Sequence, residues 1–197
     1  WYRLAAEQGD AFAQSNLGVM YEQGRGVSKN DKEAVRLYRL AAEQGDANGQ
    51  ANLGYMYAKG LGVPKDNKEA MRWYRLAAEQ GNTYAQSNLG YMYEQGRGVS
   101  KNDKEAVRWY RLAAEQGDAF AQSNLGFMYE HGLGVPKDNK EAVRWYRLAA
   151  EQGNAKAQIN LGVMHQWGDG VPQDSKEAVR WYRLAAEQGD AFAEDKL

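Results

Sequence analysis

The stretch "MHQWGDGV" at residues 164–171 carries the side chains in this chain that are best suited to chemistry. His165 and Asp169 are four residues apart, a spacing that on a helix would bring an imidazole and a carboxylate to one face. Such a pair could hold a metal ion or transfer a proton. Trp167 stands between them and offers a large ring for binding. The question is whether these three side chains share one site.

Short glycine-rich stretches read "GRGV", "GLGV" and "GDGV", and loops of the form G-x-G can cradle phosphates. Here the third glycine of a dinucleotide-binding motif is missing, and no strand precedes the loop. We therefore predict turns that end helices, each closed by the following valine. Arg36 and Arg39 recur along the chain and suggest a second phosphate site. Glu33 and Glu43 lie three and four residues from them, which favours an ion-paired, solvated face instead.

Composition excludes several classes of function. The 197 residues carry a net charge of -1, so no basic surface is expected to meet nucleic acid. No apolar run approaches the ~20 residues that span a bilayer, and we expect no membrane insertion. The absence of cysteine excludes disulfides and thiolate metal sites. No cofactor is implied.

An internal repeat determines the architecture. "RLAAEQG" recurs at residues 3, 39, 75, 111, 147 and 183, a constant spacing of 36 that predicts a solenoid of stacked repeats. We predict a single domain over residues 1–197, cut from a longer array, with partial repeats at 1–9 and 190–197. Its full repeats are 10–45, 46–81, 82–117, 118–153 and 154–189. Repeat positions are numbered below by the first of these, so residues 48, 84, 120 and 156 occupy position 12.

Each repeat is predicted to form two helices. The first covers about 11–23, from an N-cap at Asp10 to a stop at Gly24. The second covers about 31–44, with Asn30 and Glu33 spaced as a capping box. No segment alternates with a period of two, so no strands are expected and the fold class is all-α.

Helical periodicity assigns an apolar face to each helix. Ala13, Leu17, Met20 and Tyr21 form the core stripe of the first helix, and Ala34, Leu37, Tyr38 and Ala41 form that of the second. A tryptophan occupies repeat position 37 elsewhere, at residues 1, 73, 109, 145 and 181. Gly18 recurs in the middle of every first helix, where it costs ~1 kcal/mol relative to alanine. We expect it to allow a neighbouring helix to approach closely.

The third repeat, "AQSNLGYMYEQGRGVSKNDKEAVRWYRLAAEQG", resembles the Sel-1-like repeat, a branch of the tetratricopeptide-repeat superfamily. The resemblance rests on the Leu89-Gly90 and Gly98-Val99 pairs, Trp109-Tyr110 and the closing alanines and glycine, and it covers the whole chain. It implies an α/α solenoid wound as a right-handed superhelix. It also implies a bacterial scaffold for protein partners rather than an enzyme, with the compartment left open between cytoplasm, periplasm and exterior.

Eight aromatic residues lie outside the core stripes, all at repeat positions 12, 19 and 23. At ~100° per residue these positions lie within about 40° of one another around the helix. In the superfamily that this chain resembles, this face of the first helix lines a concave groove. The eight are Phe12, Tyr55, Tyr84, Tyr91, Phe120, Phe127, Trp167 and Phe192.

Asparagine occupies repeat position 16 throughout, and its amide could both donate to and accept from a peptide backbone. The predicted binding residues are therefore Phe12, Asn16, Asn52, Tyr55, Tyr84, Asn88, Tyr91, Phe120, Asn124, Phe127, Asn160 and Trp167. Two interpretations remain open for them. The rings and amides either contact a partner or pack between successive first helices.

The expected partner is a protein or peptide of unknown identity that binds a monomeric chain. Glu22, Glu94 and Glu130 border the predicted groove beside Lys59 and Lys156, so a mildly basic partner is conceivable. Two alternatives stay open. Exposed aromatic rings also bind glycans, and some cysteine-rich relatives have been linked to β-lactam binding, which raises weak binding or hydrolysis of β-lactams.

Repeat positions separate the three side chains of "MHQWGDGV". His165 stands at position 21, where the other repeats have a core tyrosine, and Asp169 stands in the variable loop position after the helix. Gly168 ends the helix between them, so we expect no shared metal or catalytic site. Trp167, at position 23, remains as a predicted anchor for a partner.

Overall fold

The computed structural model describes all 197 residues, of which 71% are helical, and it contains twelve helices and no strands. The all-α fold of successive helix pairs is therefore confirmed. No helix has both the length and the apolar character needed to cross a membrane. The chain forms two compact units, Trp1–Lys101 and Asn102–Leu197, and the division falls between the two helices of the third repeat.

The first unit contains six helices. They are α1 (Tyr2–Glu7), α2 (Ala11–Gln23), α3 (Asp31–Glu43), α4 (Ala47–Lys59), α5 (Asn67–Glu79) and α6 (Thr83–Gln95). Its core includes Tyr38, Leu53 and Met56, with Trp73 packed against them. Trp1, the residue before α1, is fully exposed, unlike the tryptophans at the same repeat position within the later helices.

The second unit also contains six helices. They are α7 (Asp103–Glu115), α8 (Ala119–His131), α9 (Asn139–Glu151), α10 (Ala155–Trp167), α11 (Ser175–Ala186) and α12 (Ala191–Glu194). Its core repeats the pattern of the first unit, with Tyr146, Leu161, Met164 and Trp181 packed together. The predicted apolar stripes therefore form the interior of both units.

The first helices begin and end as predicted. In α2 the carboxylate of Asp10 accepts the backbone N–H of Ala13 at 2.6 Å. The helix ends at Gly24, whose φ of +70° is the left-handed conformation that suits glycine at this position. The same cap and the same glycine recur in α4, α6, α8 and α10.

The second helices form only half of the predicted capping box. Asn30 accepts the backbone N–H of Glu33 at 3.1 Å, as expected. The return bond is not made, because the N–H of Asn30 donates to the carbonyl of Tyr21 at 2.9 Å and Glu33 pairs with Arg36 instead. The capping residue thus joins the two helices of its repeat. The helix ends at Glu43, one residue before the predicted end.

A tyrosine ring lies against the mid-helix glycine in the first, second, fourth and fifth repeats. A Cβ added at Gly126 would lie 2.7 Å from Cδ1 of Tyr146, a separation that carbon atoms do not tolerate. Gly18, Gly54 and Gly162 meet Tyr38, Tyr74 and Tyr182 in the same way. The predicted close approach is confirmed, and the approaching group is the tyrosine at repeat position 38.

The second glycine of the G-x-G turn contacts the preceding repeat in the second to fifth repeats. Gly134 has a φ of +68°, and a Cβ there would overlap the backbone carbonyl of Asp103 at the start of α7. Gly62 and Gly98 contact Asp31 and Asn67 in the first unit in the same manner. These loops are therefore packed turns between repeats, as the missing third glycine indicated.

A buried glutamine at repeat position 14 also connects neighbouring helices. Gln50 is 5% exposed, and its amide donates to the carbonyl of Ala42 at the end of α3 at 3.2 Å. Its side-chain oxygen accepts from Gln80, after α5, at 2.8 Å. Gln122 makes the equivalent pair of bonds in the second unit. These bonds satisfy a buried amide and fix where successive helix ends meet.

We predict that Gly126→Val destabilises the chain by about 1–3 kcal/mol, because the added side chain must displace the ring of Tyr146. The gain in helix propensity, less than ~1 kcal/mol, does not offset this. Thermal unfolding followed by circular dichroism should show a Tm lowered by several degrees. Glu151→Val, which places the same side chain at an exposed helical position, is the control. An equal effect of the two substitutions would contradict the packing described here.

Candidate binding surface on the first helices

Four aromatic rings at repeat position 12 are about half exposed. Phe12 is 59% exposed, Tyr84 45%, Phe120 47% and Phe192 48%. Each contacts, edge to face, a tyrosine from the second helix of the preceding repeat. Tyr84 lies on Tyr74 with ring centroids 6.2 Å apart, and Phe120 lies on Tyr110 at 6.3 Å. These rings are therefore held in place by the core while part of each surface faces solvent.

The rings at repeat position 19 are less exposed and lie beside cations. Tyr55 packs against the core of the first unit, and Lys59 lies over its ring at 6.0 Å from the centroid. In the second unit Phe127 packs against the core, stacks on His131 at 4.2 Å and has Lys156 at 5.3 Å. Both interpretations of the aromatic residues thus apply, to different positions: position 12 is exposed and position 19 is largely packed.

Two of the five asparagines at repeat position 16 bond to their own helices. The amide nitrogens of Asn16 and Asn88 donate to the carbonyls of Phe12 and Tyr84, four residues earlier, each at 2.8 Å. Asn124 is buried, and its Nδ2 has no hydrogen-bond partner. These intrahelical bonds occupy the amide nitrogens, which would otherwise donate to the carbonyl groups of a bound peptide.

A cavity of about 240 Å³ opens between α4 and α6 in the first unit. Four of the residues predicted from the sequence line it together: Tyr55, Tyr84, Asn88 and Tyr91. Sequence reasoning did not single out Ala58 and Arg97, which also line it. The guanidinium of Arg97 lies 4.9 Å from the centroid of the Tyr91 ring, so a cation from the G-x-G turn reaches the first-helix face.

Alanine at residue 58 changes the environment of the core tyrosine in this repeat. The hydroxyls of Tyr38 and Tyr146 donate to Glu22 and Glu130, at repeat position 22, at 2.5 and 2.6 Å. Ala58 offers no such acceptor, and Tyr74 borders the cavity instead. Burial, and after it the neighbouring Tyr84, raise the pKa of Tyr74 above its usual range, so its hydroxyl stays protonated. The sequence already distinguishes Ala58, because it is the only residue at repeat position 22 that lacks a polar side chain.

The acidic residues that suggested a basic partner are engaged within the fold. Glu22 and Glu130 accept hydrogen bonds from the tyrosines of the second helices. Their carboxylates also raise the pKa of those tyrosines, after the larger effect of burial. These contacts remove the reason for expecting a basic partner.

The arginines of the second helices have two different partners. Arg36 pairs with Glu33 at 2.6 Å, as predicted, and equivalent pairs occur in the other repeats. The predicted pairing of Arg39 with Glu43 is not formed. Arg39 donates instead to the hydroxyl of Tyr57 in the next repeat at 2.8 Å, and Arg111 donates to Tyr129 at 2.6 Å. This ladder therefore links repeats and does not form a phosphate site.

The side chains of "MHQWGDGV" are separated by the end of α10, as predicted. His165 is buried at 6% exposure, whereas Trp167 is 68% exposed and Asp169 lies in the exposed turn. Gly168 ends the helix with a φ of +76°. No group of three or more histidine, aspartate or glutamate side chains is arranged to hold a metal ion. Trp167 alone joins the exposed first-helix face.

His165 occupies a core position that the other repeats give to tyrosine. Neither of its ring nitrogens has a hydrogen-bond partner. Burial lowers the pKa of His165 below its usual value of 6.5, Glu177 and Asp174 oppose this, and Arg147 adds to the lowering. Tyr129, the equivalent residue of the fourth repeat, accepts a hydrogen bond from Arg111. The corresponding arginine in the fifth repeat is Arg147, and it repels the imidazole of His165 once that ring is protonated.

The sequence model of the Sel1 repeat matches this chain six times in succession, at residues 1–10, 11–46, 47–82, 83–118, 119–154 and 155–190. The last five segments have the same length as the predicted full repeats and begin one residue later. A search of curated proteins gives no match.

Solved structures of several bacterial proteins are similar to this chain. A protective antigen of uropathogenic Escherichia coli with an SLR fold is 41% identical, with a TM-score of 0.93 over 98% of this chain and 41% of its own. A Sel1 repeat protein from Oxalobacter formigenes is 43% identical, with a TM-score of 0.88 over 96% of this chain and 78% of its own. An immunity protein from Pseudomonas aeruginosa is 26% identical, with a TM-score of 0.58 over 100% of this chain and 74% of its own. The present chain thus spans less than half the length of the E. coli antigen.

We predict that the chain loses stability on acidification because of His165. The unfolded chain protonates this residue near pH 6.5, whereas the folded chain does so only at lower pH, so stability is full above pH 6.5 and declines as the pH falls through it. His165→Tyr should reduce the loss in Tm between pH 7.5 and 5.5. It should also add about 1 kcal/mol at pH 7.5, through a bond to Arg147 like that of Tyr129.

His131→Tyr, the same substitution at an exposed position, is the matched control. Equal losses of Tm on acidification in the parent chain and in His165→Tyr would show that His165 is not the cause.

Proposed function

Because the chain belongs to the Sel1 repeat family, as its sequence resemblance predicted, we propose that it is a scaffold that binds an extended peptide segment along its first helices. Sel1 repeat proteins commonly act as scaffolds for protein interactions, and the family is generally non-enzymatic. Each compact unit is taken by itself in this proposal, since each has its own set of first helices.

The observation that carries the proposal is the row of half-exposed rings at repeat position 12. Phe12 and Tyr84 in the first unit, and Phe120 in the second, each rest edge-on against a tyrosine. A ring held in this way loses little side-chain entropy when a partner covers it. Aromatic side chains of this kind provide a large share of the affinity in protein interfaces. Trp167 adds a more exposed ring at the end of α10.

The asparagines have a narrower role than the sequence indicated. Because Asn16 and Asn88 use their amide nitrogens within the helix, their oxygens are the groups that would accept a peptide N–H. The proposed contact residues are Phe12, Asn16, Asn52, Tyr55, Tyr84, Asn88 and Tyr91 in the first unit, and Phe120, Asn124, Phe127, Asn160 and Trp167 in the second. No contact of these residues specifically favours a glycan or a β-lactam.

The test is to select linear 12-residue peptides from a phage-displayed library on the immobilised chain and to measure the Kd of enriched peptides by fluorescence anisotropy. Phe12→Ala, Phe120→Ala and Trp167→Ala, combined in one chain, should weaken binding roughly tenfold or more. Their Tm should change little, since each ring is about half exposed or more.

Exposed leucines on the second helices provide the matched control. Leu40, Leu112 and Leu148 are 37–38% exposed, and their combined replacement by alanine should leave the Kd within about twofold. Failure to enrich any peptide, or equal weakening by both sets of substitutions, would refute binding along the first helices.

A further inference from the structure

We propose that the cavity between α4 and α6, next to Ala58, receives the side-chain carboxylate of an aspartate or glutamate on the bound peptide. This proposal deepens the one above and rests on it, since the same first-helix face would hold the rest of the peptide. It assigns a charge preference to the partner, which neither the family nor the fold supplies.

The size and walls of the cavity suit a single acidic side chain. Its volume of about 240 Å³ corresponds to roughly eight water molecules at ~30 Å³ each, which is more than a carboxylate needs and too little for a folded element. Tyr55, Tyr91 and Met92 supply apolar walls for the methylene groups of the side chain. Tyr74 and Asn88 add polar groups from the second and first helices.

The charge of the lining favours an anion. Lys59 and Arg97 both line the cavity and lie over tyrosine rings, and neither forms an ion pair within the fold. No carboxylate lines the cavity. The carboxylate of Glu22 makes the smallest contribution to the raised pKa of Tyr84, and it accepts a hydrogen bond from the hydroxyl of Tyr38. Two unpaired cations on a partly enclosed apolar site lack a counter-charge, and a ligand carboxylate would supply it.

The cavity depends on the alanine at residue 58. In the first and fourth repeats a glutamate at this position bonds to the core tyrosine, and in the fifth repeat Gln166 accepts from Tyr182 at 2.7 Å. In the second repeat the corresponding space is open, and the hydroxyl of Tyr74 lacks this intramolecular acceptor. A carboxylate brought by a partner would therefore occupy a place similar to that which the chain fills with its own glutamate in other repeats.

The test uses the peptides selected from the 12-residue library. Enriched sequences should share an aspartate or glutamate at a fixed distance from an apolar or aromatic residue. Replacing that residue by asparagine or glutamine should weaken binding to the parent chain about ten- to hundredfold, as expected for a charge-assisted bond. The same replacement should have little effect on binding to a Lys59→Gln/Arg97→Gln chain, because the cations that recognise the charge are gone.

Two substitutions at residue 58 distinguish the effect of filling the cavity from the effect of adding a negative charge to it. Ala58→Gln fills the cavity with the neutral side chain that the fifth repeat uses, and Ala58→Glu fills it with the acidic one that three other repeats use. Both should fold, as the Tm will verify. Both should weaken the binding of acidic peptides roughly tenfold or more. Ala58→Glu should have the larger effect, because its carboxylate repels that of the peptide.

The outcomes distinguish this proposal from the general one. Peptides whose binding is weakened by loss of the exposed rings but which share no acidic residue would overturn the carboxylate site and leave the scaffold function intact. An equal penalty for removing the peptide carboxylate in the parent chain and in the Lys59→Gln/Arg97→Gln chain would do the same. If no peptide is enriched on any variant, the scaffold proposal fails and the carboxylate site fails with it.

Discussion

The contact between a tyrosine ring and the face of a glycine-bearing helix is the constraint on which the rest of each repeat depends. The ring of Tyr146 lies where a Cβ of residue 126 would otherwise be, so the two helices of the pair approach more closely than side chains on both would allow. The glycine costs helix propensity, and the fully buried tyrosine offsets that cost by removing a large apolar surface from water. The depth of the ring also determines where its hydroxyl emerges.

That hydroxyl connects the core to the proposed binding surface. In the first, fourth and fifth repeats the glutamate or glutamine at position 22 accepts a hydrogen bond from this hydroxyl within the repeat. At Ala58 the same tyrosine borders an open cavity with two cations. The outer edge of the tyrosine also carries the exposed ring of the following repeat, as Tyr74 carries Tyr84. One buried side chain thus positions both the aromatic anchors and the charged cavity of the proposed site.

Backbone and polar groups add directional contacts to the apolar packing between repeats. The second glycine of the turn lies on a backbone carbonyl of the preceding repeat at Gly62, Gly98, Gly134 and Gly170, the buried glutamine bonds to the end of the preceding helix, and the arginine at position 39 reaches the tyrosine of the next repeat. Directional bonds of this kind fix the register of successive helices in a way that apolar packing alone does not. A change at one position, such as His165 for tyrosine, therefore alters a link between repeats without disrupting the fold.

The sequence by itself determined the repeat length, the two helices of each repeat, their caps and their buried faces. Each of these follows from local spacing that recurs five times, and helix-forming physics acts over the same few residues. It also separated His165 from Asp169, because Gly168 stands at the position where a glycine ends the first helix of every repeat. Tertiary structure decided the partners of the polar side chains, which depend on distances between helices: Asn30 bonding back to Tyr21, Arg39 reaching Tyr57 instead of Glu43, and Asn88 turning to its own helix. It also decided that Arg97, a turn residue, and Ala58, an apparently minor substitution, meet at one cavity, since only the packing of α4 beside α6 brings them together.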